Sequence, residues 1–119
     1  MSVTAPAGFV ATGVACGIKE SGDLDLSLLA TSDRKAVAAA AVFTTNKATA
    51  APVIVSRNHL TSTLGRAAAV VVSSGNANAA TGSSGEADAE RICTLVGAGL
   101  GVASNEVLIC QTGLIGIPL

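Results

Sequence analysis

The chain has 119 residues, of which 50% are hydrophobic, 13% are charged and 2% are aromatic, and its formal net charge is −1. Globular domains carry about 25% charged residues, so an isolated fold of this composition would expose a large uncharged surface, which usually marks a contact with another chain. The near-neutral charge and the scarcity of aromatic residues argue against a nucleic-acid-binding protein, which needs phosphate-neutralising charge and stacking rings. We therefore expect a chain that a partner covers or that forms part of a longer protein.

Local features disfavour three further classes of protein. The longest charge-free run, residues 67–85, is interrupted by Ser, Gly, Asn and Thr and lacks the ~20 apolar residues of a membrane-spanning helix. The first ten residues lack the basic cluster and apolar core of a signal peptide. Cys16, Cys93 and Cys110 form no CxxC pair and have only His59 as an imidazole partner, which disfavours a disulfide framework and a zinc site. We expect a cytoplasmic protein with reduced thiols and no bound metal.

Short apolar runs predict β-strands along most of the chain. In chain order, they lie at residues 9–18, 24–29, 38–44, 52–56, 67–72 and 107–110. Pro52 fits the first position of a strand, where its missing N–H costs least, and residues 57–64 are interpreted as a polar connector. The run at 67–72 contains three valines and is predicted to be buried on both faces.

The clearest helix signal lies between the last two strands. Ser83 and Glu86 have the S-x-x-E spacing of a capping box, and Gly101 is a suitable C-terminal stop. The apolar positions that recur at i, i+3, i+4 and i+7 are Ile92, Leu95, Val96 and Gly99. This spacing predicts an amphipathic helix at residues 84–99. The chain is thus predicted to be α/β (α+β layered), with a mixed β-sheet and packed helices.

Few side chains offer acid–base or nucleophilic chemistry. His59 has no carboxylate or Cys near it in sequence and is interpreted as a surface histidine. The three cysteines are interpreted as small apolar fillers, with Cys93 one position away from the apolar helix face, because a reactive thiolate needs an electropositive and partly exposed setting. The acidic residues at positions 86, 88 and 90 are interpreted as a solvated helix start rather than a catalytic pair.

Two loops are better candidates for a functional site. Residues 73–82 are rich in Gly and Asn, which tolerate positive φ, so this loop can turn N–H groups toward an anion or a carbonyl oxygen. It lacks the motif of a phosphate-binding loop, and a tight loop that Asn side chains tie down is an equal interpretation. In residues 111–116, the Thr112 hydroxyl and the Gly113 N–H offer two donors for a developing oxyanion. A simple strand-end turn is the alternative.

Five groups of segments, considered in order, point to a known family. They are residues 3–9 (VTAPAGF), 13–19 (GVACGIK), 42–47 with 51–53 (VFTTNK, APV), 74–79 with 81–82 (SGNANA, TG) and 112–116 (TGLIG). Their order and spacing resemble the ornithine acetyltransferase family, the bifunctional glutamate N-acetyltransferases/amino-acid acetyltransferases of arginine biosynthesis. The sequence departs from the family pattern at three positions: Ser73 stands where the family has Asn, Ala80 where it often has Cys, and Gln111 where it usually has Ser.

The resemblance implies a fold and a mechanism. The fold would be the layered ornithine acetyltransferase/DmpA-like fold, with α and β subunits cut from one precursor and joined in an α2β2 assembly. Acetyl would pass from N-acetylornithine to glutamate through an acetylated N-terminal Thr, which self-cleavage exposes. Some members also use acetyl-CoA as a co-substrate, and no bound cofactor is implied. The oxyanion-stabilising pair of the family corresponds here to Thr112 and Gly113.

The family's nucleophilic Thr lies downstream of TGLIG, whereas this sequence ends at Leu119. The role is not assigned to Thr44, Thr45, Thr81 or Thr94, which do not match its position. We therefore expect residues 1–119 to be the N-terminal part of a single α-subunit domain that has no activity alone. The alternatives are a non-catalytic binding or assembly subunit, and an N-terminal-nucleophile amidohydrolase that releases acetyl groups to water.

Overall fold

A computed structural model describes residues 2–119 of the chain. Its elements are β1 (Phe9–Val14), β2 (Leu26–Thr31), β3 (Val37–Ala38), α1 (Ala51–Ser62), β4 (Arg66–Ala67), β5 (Ala69–Asn76), α2 (Gly82–Leu100), a 3₁₀ turn (Ser104–Glu106) and β6 (Val107–Leu114). One sheet has the strand order β1-β2-β5-β6, and β3 and β4 form a second, two-stranded sheet. The β5–β6 pair is parallel and the other pairs are antiparallel. The predicted mixed sheet with packed helices is confirmed.

The hydrophobic core lies between the β5–β6 pair and the two helices. Successive strand residues point to opposite faces of a sheet, and the register places Ala69 beside Val107 and Val71 beside Ile109. The core residues are Ala30, Val55, Ala69, Val71, Ala89, Cys93, Val107 and Ile109. Most of them are small, so the helix backbones can pack close to the two strands that carry the candidate site.

Helix α1 corrects the prediction of a strand at 52–56 followed by a connector at 57–64. Pro52 lies in the first turn of the helix, where a missing N–H has no intrahelical partner to lose. The buried positions of α1 are Ala51, Pro52, Val55, Ser56 and His59. Their spacing is helical, but two of the five are polar, so the apolar pattern alone indicated a strand.

Those two polar residues bind the free edge of the sheet. The Ser56 hydroxyl donates to the carbonyl oxygen of Ile109 at 2.8 Å and accepts from its N–H at 2.9 Å. His59 Nδ1 lies 2.8 Å from the carbonyl oxygen of Val107. Because β6 is an edge strand, its outward backbone groups would otherwise lack a strand partner. Helix α1 therefore supplies the hydrogen bonds that another strand would make.

The interpretation of His59 as a surface histidine is wrong, since the residue is only 5% exposed. A carbonyl oxygen can only accept, so Nδ1 carries a proton and donates it to Val107. The other ring nitrogen, Nε2, lies 2.9 Å from a carboxylate oxygen of Glu90 on α2. The imidazole thus joins the edge strand to both helices, and Glu90 is bound rather than only solvated.

Helix α2 confirms the predicted helix at 84–99, with a longer span. It ends at Gly101, whose φ of +74° is the left-handed conformation typical of a helix stop. The predicted capping box is wrong, because the helix begins after Thr81 and no side chain caps its start. Ser83 is exposed, and Glu86 is half-buried.

The buried face of α2 differs from the predicted apolar face. The buried residues are Gly85, Ala89, Cys93 and Gly97. Leu95, which the spacing placed in the core, is 64% exposed, and Gly99 is exposed as well. The helix approaches its neighbours so closely that a Cβ at Gly97 would lie 2.9 Å from the carbonyl oxygen of Val102. Close approach therefore selects small residues over large apolar ones.

Several strand boundaries also differ from the prediction. The first strand ends at Val14, only Val37–Ala38 forms a strand near the run at 38–44, and β6 continues from Val107 to Leu114. The run at 67–72 divides between β4 and β5, and Val72 is 37% exposed. The prediction that this run is buried on both faces is wrong, because the helices cover only one face of β5.

The buried carboxylate of Asp25 holds the loop that follows β1. It accepts hydrogen bonds from the N–H groups of Cys16 at 2.7 Å, Ile18 at 2.7 Å and Lys19 at 3.0 Å. These bonds, above all the one from Cys16, hold the pKa of the Asp25 carboxyl well below its usual range. The carbonyl oxygen of Asp25 also accepts from the N–H of Ser74 at 2.8 Å. Asp25 therefore links this loop to the end of β5.

We expect His59→Ala to destabilise the protein expressed from the complete reading frame by about 2 kcal/mol, because it leaves the buried Val107 carbonyl without a donor. Glu90→Gln is the matched control, since a side-chain amide at this position can still form a hydrogen bond with Nε2. Urea unfolding curves measure both effects. Equal curves for the wild type and His59→Ala would contradict a stabilising role for the hydrogen bonds of the histidine.

We expect Asp25 to make unfolding pH-dependent in the acid range. Its pKa is lower in the folded state than the ~3.9 of an unperturbed Asp, so its contribution is present above that value and is lost as the pH falls toward the folded-state pKa. The stability difference between the wild type and Asp25→Asn should therefore shrink between about pH 5 and about pH 3. Asp23→Asn, at an exposed carboxylate that accepts from Ser21, is the control. A difference that stays constant over this range would contradict the assignment.

Candidate functional site

The two loops singled out in the sequence lie side by side. In the parallel β5–β6 pair, Ser74 is beside Thr112 and Gly75 is beside Gly113. Both strands thus end at the same edge of the sheet, and α2 forms the connection between them. Ligands in α/β proteins bind beyond the carboxyl ends of such strands. This edge is therefore the candidate functional site.

Two glycines let the strand ends approach each other. Gly113 has a φ of +134°, and a Cβ there would lie 2.3 Å from the carbonyl carbon of Gly75 and 2.6 Å from the backbone nitrogen of Asn76. Gly75 has a φ of +116°, and a Cβ there would lie 2.8 Å from the side chain of Ile18. The strand register shifts at the same point, between Gly75 and Asn76. The backbone path at this edge therefore requires glycine at both positions.

Thr112 and Gly113 are exposed at this edge. Within residues 2–119, the Thr112 hydroxyl takes no part in a side-chain hydrogen bond, unlike the neighbouring Gln111 side chain. Both residues are therefore accessible to a ligand. The arrangement offers hydrogen-bond donors to an oxygen atom but brings no nucleophile to them.

The Asn-rich loop ties down the backbone around this edge. Asn76 Oδ1 accepts from the N–H of Asn78 at 2.7 Å, and Asn76 Nδ2 donates to the carbonyl oxygen of Ile117 at 2.9 Å. The N–H of Ala77 donates to the carbonyl oxygen of Leu114 at 2.8 Å. The interpretation as a loop tied by Asn side chains describes these contacts, and the tied loop borders the exposed Thr112–Gly113 pair.

Asn78 is the most buried polar residue of the loop, at 1% exposed. Its Nδ2 donates to the carbonyl oxygen of Gly85 at 2.8 Å and to Gln111 Oε1 at 2.9 Å. Its Oδ1 accepts from the Thr81 hydroxyl at 2.7 Å. A Cβ at Gly85 would lie 2.3 Å from this Oδ1. The sequence drew attention to the loop but not to Asn78 or Gly85 individually, because the bond from Asn78 to Gln111 spans 33 residues and its bond to Gly85 involves a backbone atom.

Two of the residues that the sequence resemblance marks as departures face each other in the sheet. Ser73 of β5 and Gln111 of β6 are register partners, and Gln111 Nε2 lies 3.4 Å from Ser73 Oγ. The third departure, Ala80, is exposed in the left-handed region with a φ of +57°. The first two substitutions therefore fall in one contact next to Thr112.

The cysteines fit the filler interpretation only in part. Cys93 is fully buried and faces the core, and burial raises the pKa of its thiol to about 12. Cys16 and Cys110 are exposed, which corrects the prediction that they are apolar fillers. Desolvation raises the pKa of both thiols, and the nearby Asp25 carboxylate raises that of Cys16 further. These shifts disfavour a thiolate nucleophile at all three positions.

Among residues 2–119, no group of three or more His, Cys, Asp or Glu side chains could hold a metal ion. In the same part of the chain, no helix has the length and apolar character needed to cross a membrane.

Comparison with known sequences identifies the family. Residues 10–119 match the ArgJ family. The arginine biosynthesis bifunctional protein ArgJ of Gloeobacter violaceus is 49% identical over 117 residues, which cover 98% of this chain and 28% of the relative. The protein of the same name from Geobacter sulfurreducens is 50% identical over 112 residues, covering 94% and 28%. The chain thus spans about 28% of the length of these relatives.

Solved structures give the same result. A crystal structure of ornithine acetyltransferase from Mycobacterium tuberculosis, complexed with ornithine, matches with a TM-score of 0.92 and 48% identity, covering 98% of this chain and 62% of that one. The arginine biosynthesis bifunctional protein ArgJ of Bacillus halodurans matches with a TM-score of 0.92 and 34% identity, covering 100% and 60%. The predicted resemblance is confirmed in both sequence and fold, and the chain belongs to the ArgJ family of ornithine acetyltransferases.

Proposed function

We propose that this chain supplies the oxyanion-binding part of an acyltransferase that moves acetyl from N-acetylornithine to glutamate. The observation that carries the proposal is the exposed Thr112–Gly113 pair, held at the ends of two parallel strands by a contact that only glycines allow. Membership of the ArgJ family, whose relatives are named arginine biosynthesis bifunctional proteins, supports this class of reaction. A structural neighbour described as complexed with ornithine supports the class of substrate.

The donor half-reaction requires a nucleophile, which we assign to an N-terminal Thr outside these 119 residues. Its hydroxyl oxygen attacks the acetyl carbonyl carbon, and its proton passes to the α-amino group of the same Thr. The carbonyl oxygen becomes an oxyanion, which accepts hydrogen bonds from the Thr112 hydroxyl and the Gly113 N–H. The C–N bond then breaks, and ornithine leaves with the proton on its amine. An acetyl ester of the nucleophile remains.

The acceptor half-reaction reverses these steps with a different amine. The α-amino nitrogen of glutamate attacks the ester carbonyl, and a second oxyanion forms where the first one stood. The bond between the carbonyl carbon and the Thr oxygen breaks, which releases N-acetylglutamate. A proton from the attacking amine passes through the α-amino group of the Thr to its oxygen and restores the hydroxyl. One pair of donors at Thr112 and Gly113 therefore serves both transition states.

The surface around the site indicates further polypeptide. Large apolar side chains exposed beside the site are Leu114, Ile115, Ile117 and Leu119. Exposed apolar side chains grouped in one segment usually mark a patch that contacts another segment or chain. We propose that residues 1–119 belong to an α-subunit domain, that a β subunit from the same precursor covers this patch in an α2β2 assembly, and that the 119 residues alone are inactive. We also propose that acetyl-CoA can serve as a second acetyl donor and that the reaction uses no bound cofactor. The proposed location of the protein is the cytoplasm.

We expect Thr112→Ala, in the protein expressed from the complete reading frame, to lower kcat for acetyl transfer by ~10²-fold, because one oxyanion donor is lost. Thr94→Ala is the control, since this exposed hydroxyl only donates to the Glu90 carbonyl within its own helix. Rates are measured as ornithine release with and without glutamate.

Unchanged transfer in Thr112→Ala would contradict the role of this hydroxyl. Ornithine release that does not yield N-acetylglutamate when glutamate is present would favour the amidohydrolase alternative. A protein that binds ornithine but turns over neither donor would favour the non-catalytic alternative.

We expect Gly113→Ala to destabilise the same protein by about 2 kcal/mol or more, because it combines a left-handed backbone with a Cβ placed against the backbone of β5. Gly99→Ala is the matched control, since no atom lies within 4 Å of its added Cβ and alanine stabilises a helix by roughly 0.5–1 kcal/mol. Thermal unfolding separates the two outcomes. A Gly113→Ala variant as stable as the wild type would contradict the close backbone contact.

A further inference from the structure

Two hydrogen-bonded amides, those of the buried Asn78 and the half-buried Gln111, lie next to the exposed Thr112. We propose that Asn78 and Gln111 are positioning residues, which hold the end of β6 so that the Thr112 hydroxyl meets the oxyanion. This inference rests on the proposed function and goes beyond it by assigning a role to side chains that do not touch the substrate. It is carried by the hydrogen bond of 2.9 Å between Asn78 Nδ2 and Gln111 Oε1.

The amide of Asn78 has only one orientation that satisfies its neighbours. The carbonyl oxygen of Gly85 can only accept, so the atom 2.8 Å from it must be the donating Nδ2. The second N–H of that nitrogen points to Gln111, and the remaining oxygen accepts from the Thr81 hydroxyl. Both donors and the acceptor are thus engaged in a side chain that is 1% exposed. The Asn78 side chain is therefore held in one orientation.

The Asn78 side chain is bonded to the start of α2. Asn78 donates to the carbonyl oxygen of Gly85, which is the fourth residue of α2. It also accepts from Thr81, the residue that precedes the helix. A Cβ at Gly85 would lie 2.3 Å from Asn78 Oδ1 and 1.9 Å from Thr81 Oγ1. Only glycine at this position leaves room for the Asn78 amide. The absent side chain at Gly85 therefore leaves the space in which the Asn78 amide packs against α2.

Gln111 connects the fixed Asn78 side chain to Thr112 in the candidate site. It precedes Thr112 in β6, and neighbouring strand residues point to opposite faces, so holding Gln111 from one face sets the direction of Thr112 on the other. The side-chain hydrogen bonds from α1 to β6 reach Val107 and Ile109. Gln111 lies beyond them, and its side chain is held by Asn78 and approached by Ser73. The amide bond therefore braces the segment that α1 does not reach.

Small displacements at this point have a large effect on the rate. Oxyanion donors act only when they lie at hydrogen-bond distance from the charged oxygen, and a misplacement of about 1 Å can lower a rate by ~10²-fold. Loss of one hydrogen bond behind the donor should displace it by less than that. We expect a rate loss of roughly 10-fold, with little change in substrate binding.

The experiment is a double-mutant cycle in the protein expressed from the complete reading frame. Gln111→Met preserves the length of the side chain and removes the acceptor. Asn78→Asp preserves the shape and removes both donors of Nδ2, so it also removes the bond to the Gly85 carbonyl. Acetyl transfer is normalised to the burst of acetylated enzyme, so that only matured sites are counted. Asn105→Ala is the control, because this half-buried residue lies away from the site and its amide donates to Ser62 Oγ at 3.1 Å.

Each single variant should lower kcat roughly 10-fold, with KM for N-acetylornithine within about 2-fold of the wild type. The double variant should lose little more than the worse single variant, because both remove the same bond. If Asn78→Asp does not fold, Gln111→Met and Gln111→Leu decide the matter alone. Asn105→Ala should leave kcat and KM unchanged.

Three results would overturn the inference: Gln111→Met with kcat within about 2-fold of the wild type, a loss that appears in KM rather than kcat, or additive losses in the double variant. If Thr112→Ala lowers transfer and Gln111→Met does not, the positioning role fails and the proposed function stands. A wild-type protein without acetyl transfer overturns both.

Discussion

The site depends on a contact between two backbones, that of Gly75 in β5 and that of Gly113 in β6. Any side chain at position 113 would place its Cβ 2.3 Å from the Gly75 carbonyl carbon. This approach lets the two strands end together, shifts their register at Gly75 and leaves Thr112 exposed. The chemistry proposed for the site follows from this contact, because an oxyanion needs donors that are already in place when its charge develops.

The rest of the fold supports those strand ends from different sides. Helix α1 binds the free edge of β6 through Ser56 and His59, and Glu90 of α2 binds the other side of the imidazole. Helix α2 holds Asn78 against its first turns at Gly85. The small residues of the core are therefore as important as its apolar character. They let α1 come close enough for its polar side chains to reach the backbone of β6.

The sequence predicted those features whose signal is local. The helix at 84–99, its stop at Gly101, the mixed sheet and the loop containing Thr112 were all predicted from spacing, turn residues or resemblance. Features that depend on distant partners were not. Helix α1 was mistaken for a strand because Ser56 and His59 face inward to bind β6, and the buried face of α2 was misplaced because close packing favours Gly and Ala over Leu95. The bond between Asn78 and Gln111 spans 33 residues of sequence and gives no periodic signal.

The most direct test of the central claim is a crystal structure of the protein expressed from the complete reading frame, bound to a tetrahedral analogue of the acetyl-transfer intermediate. The account predicts that the negatively charged oxygen of the analogue lies about 2.7–3.1 Å from both the Thr112 hydroxyl and the Gly113 nitrogen. An analogue bound at the nucleophile with that oxygen directed away from both groups would contradict it.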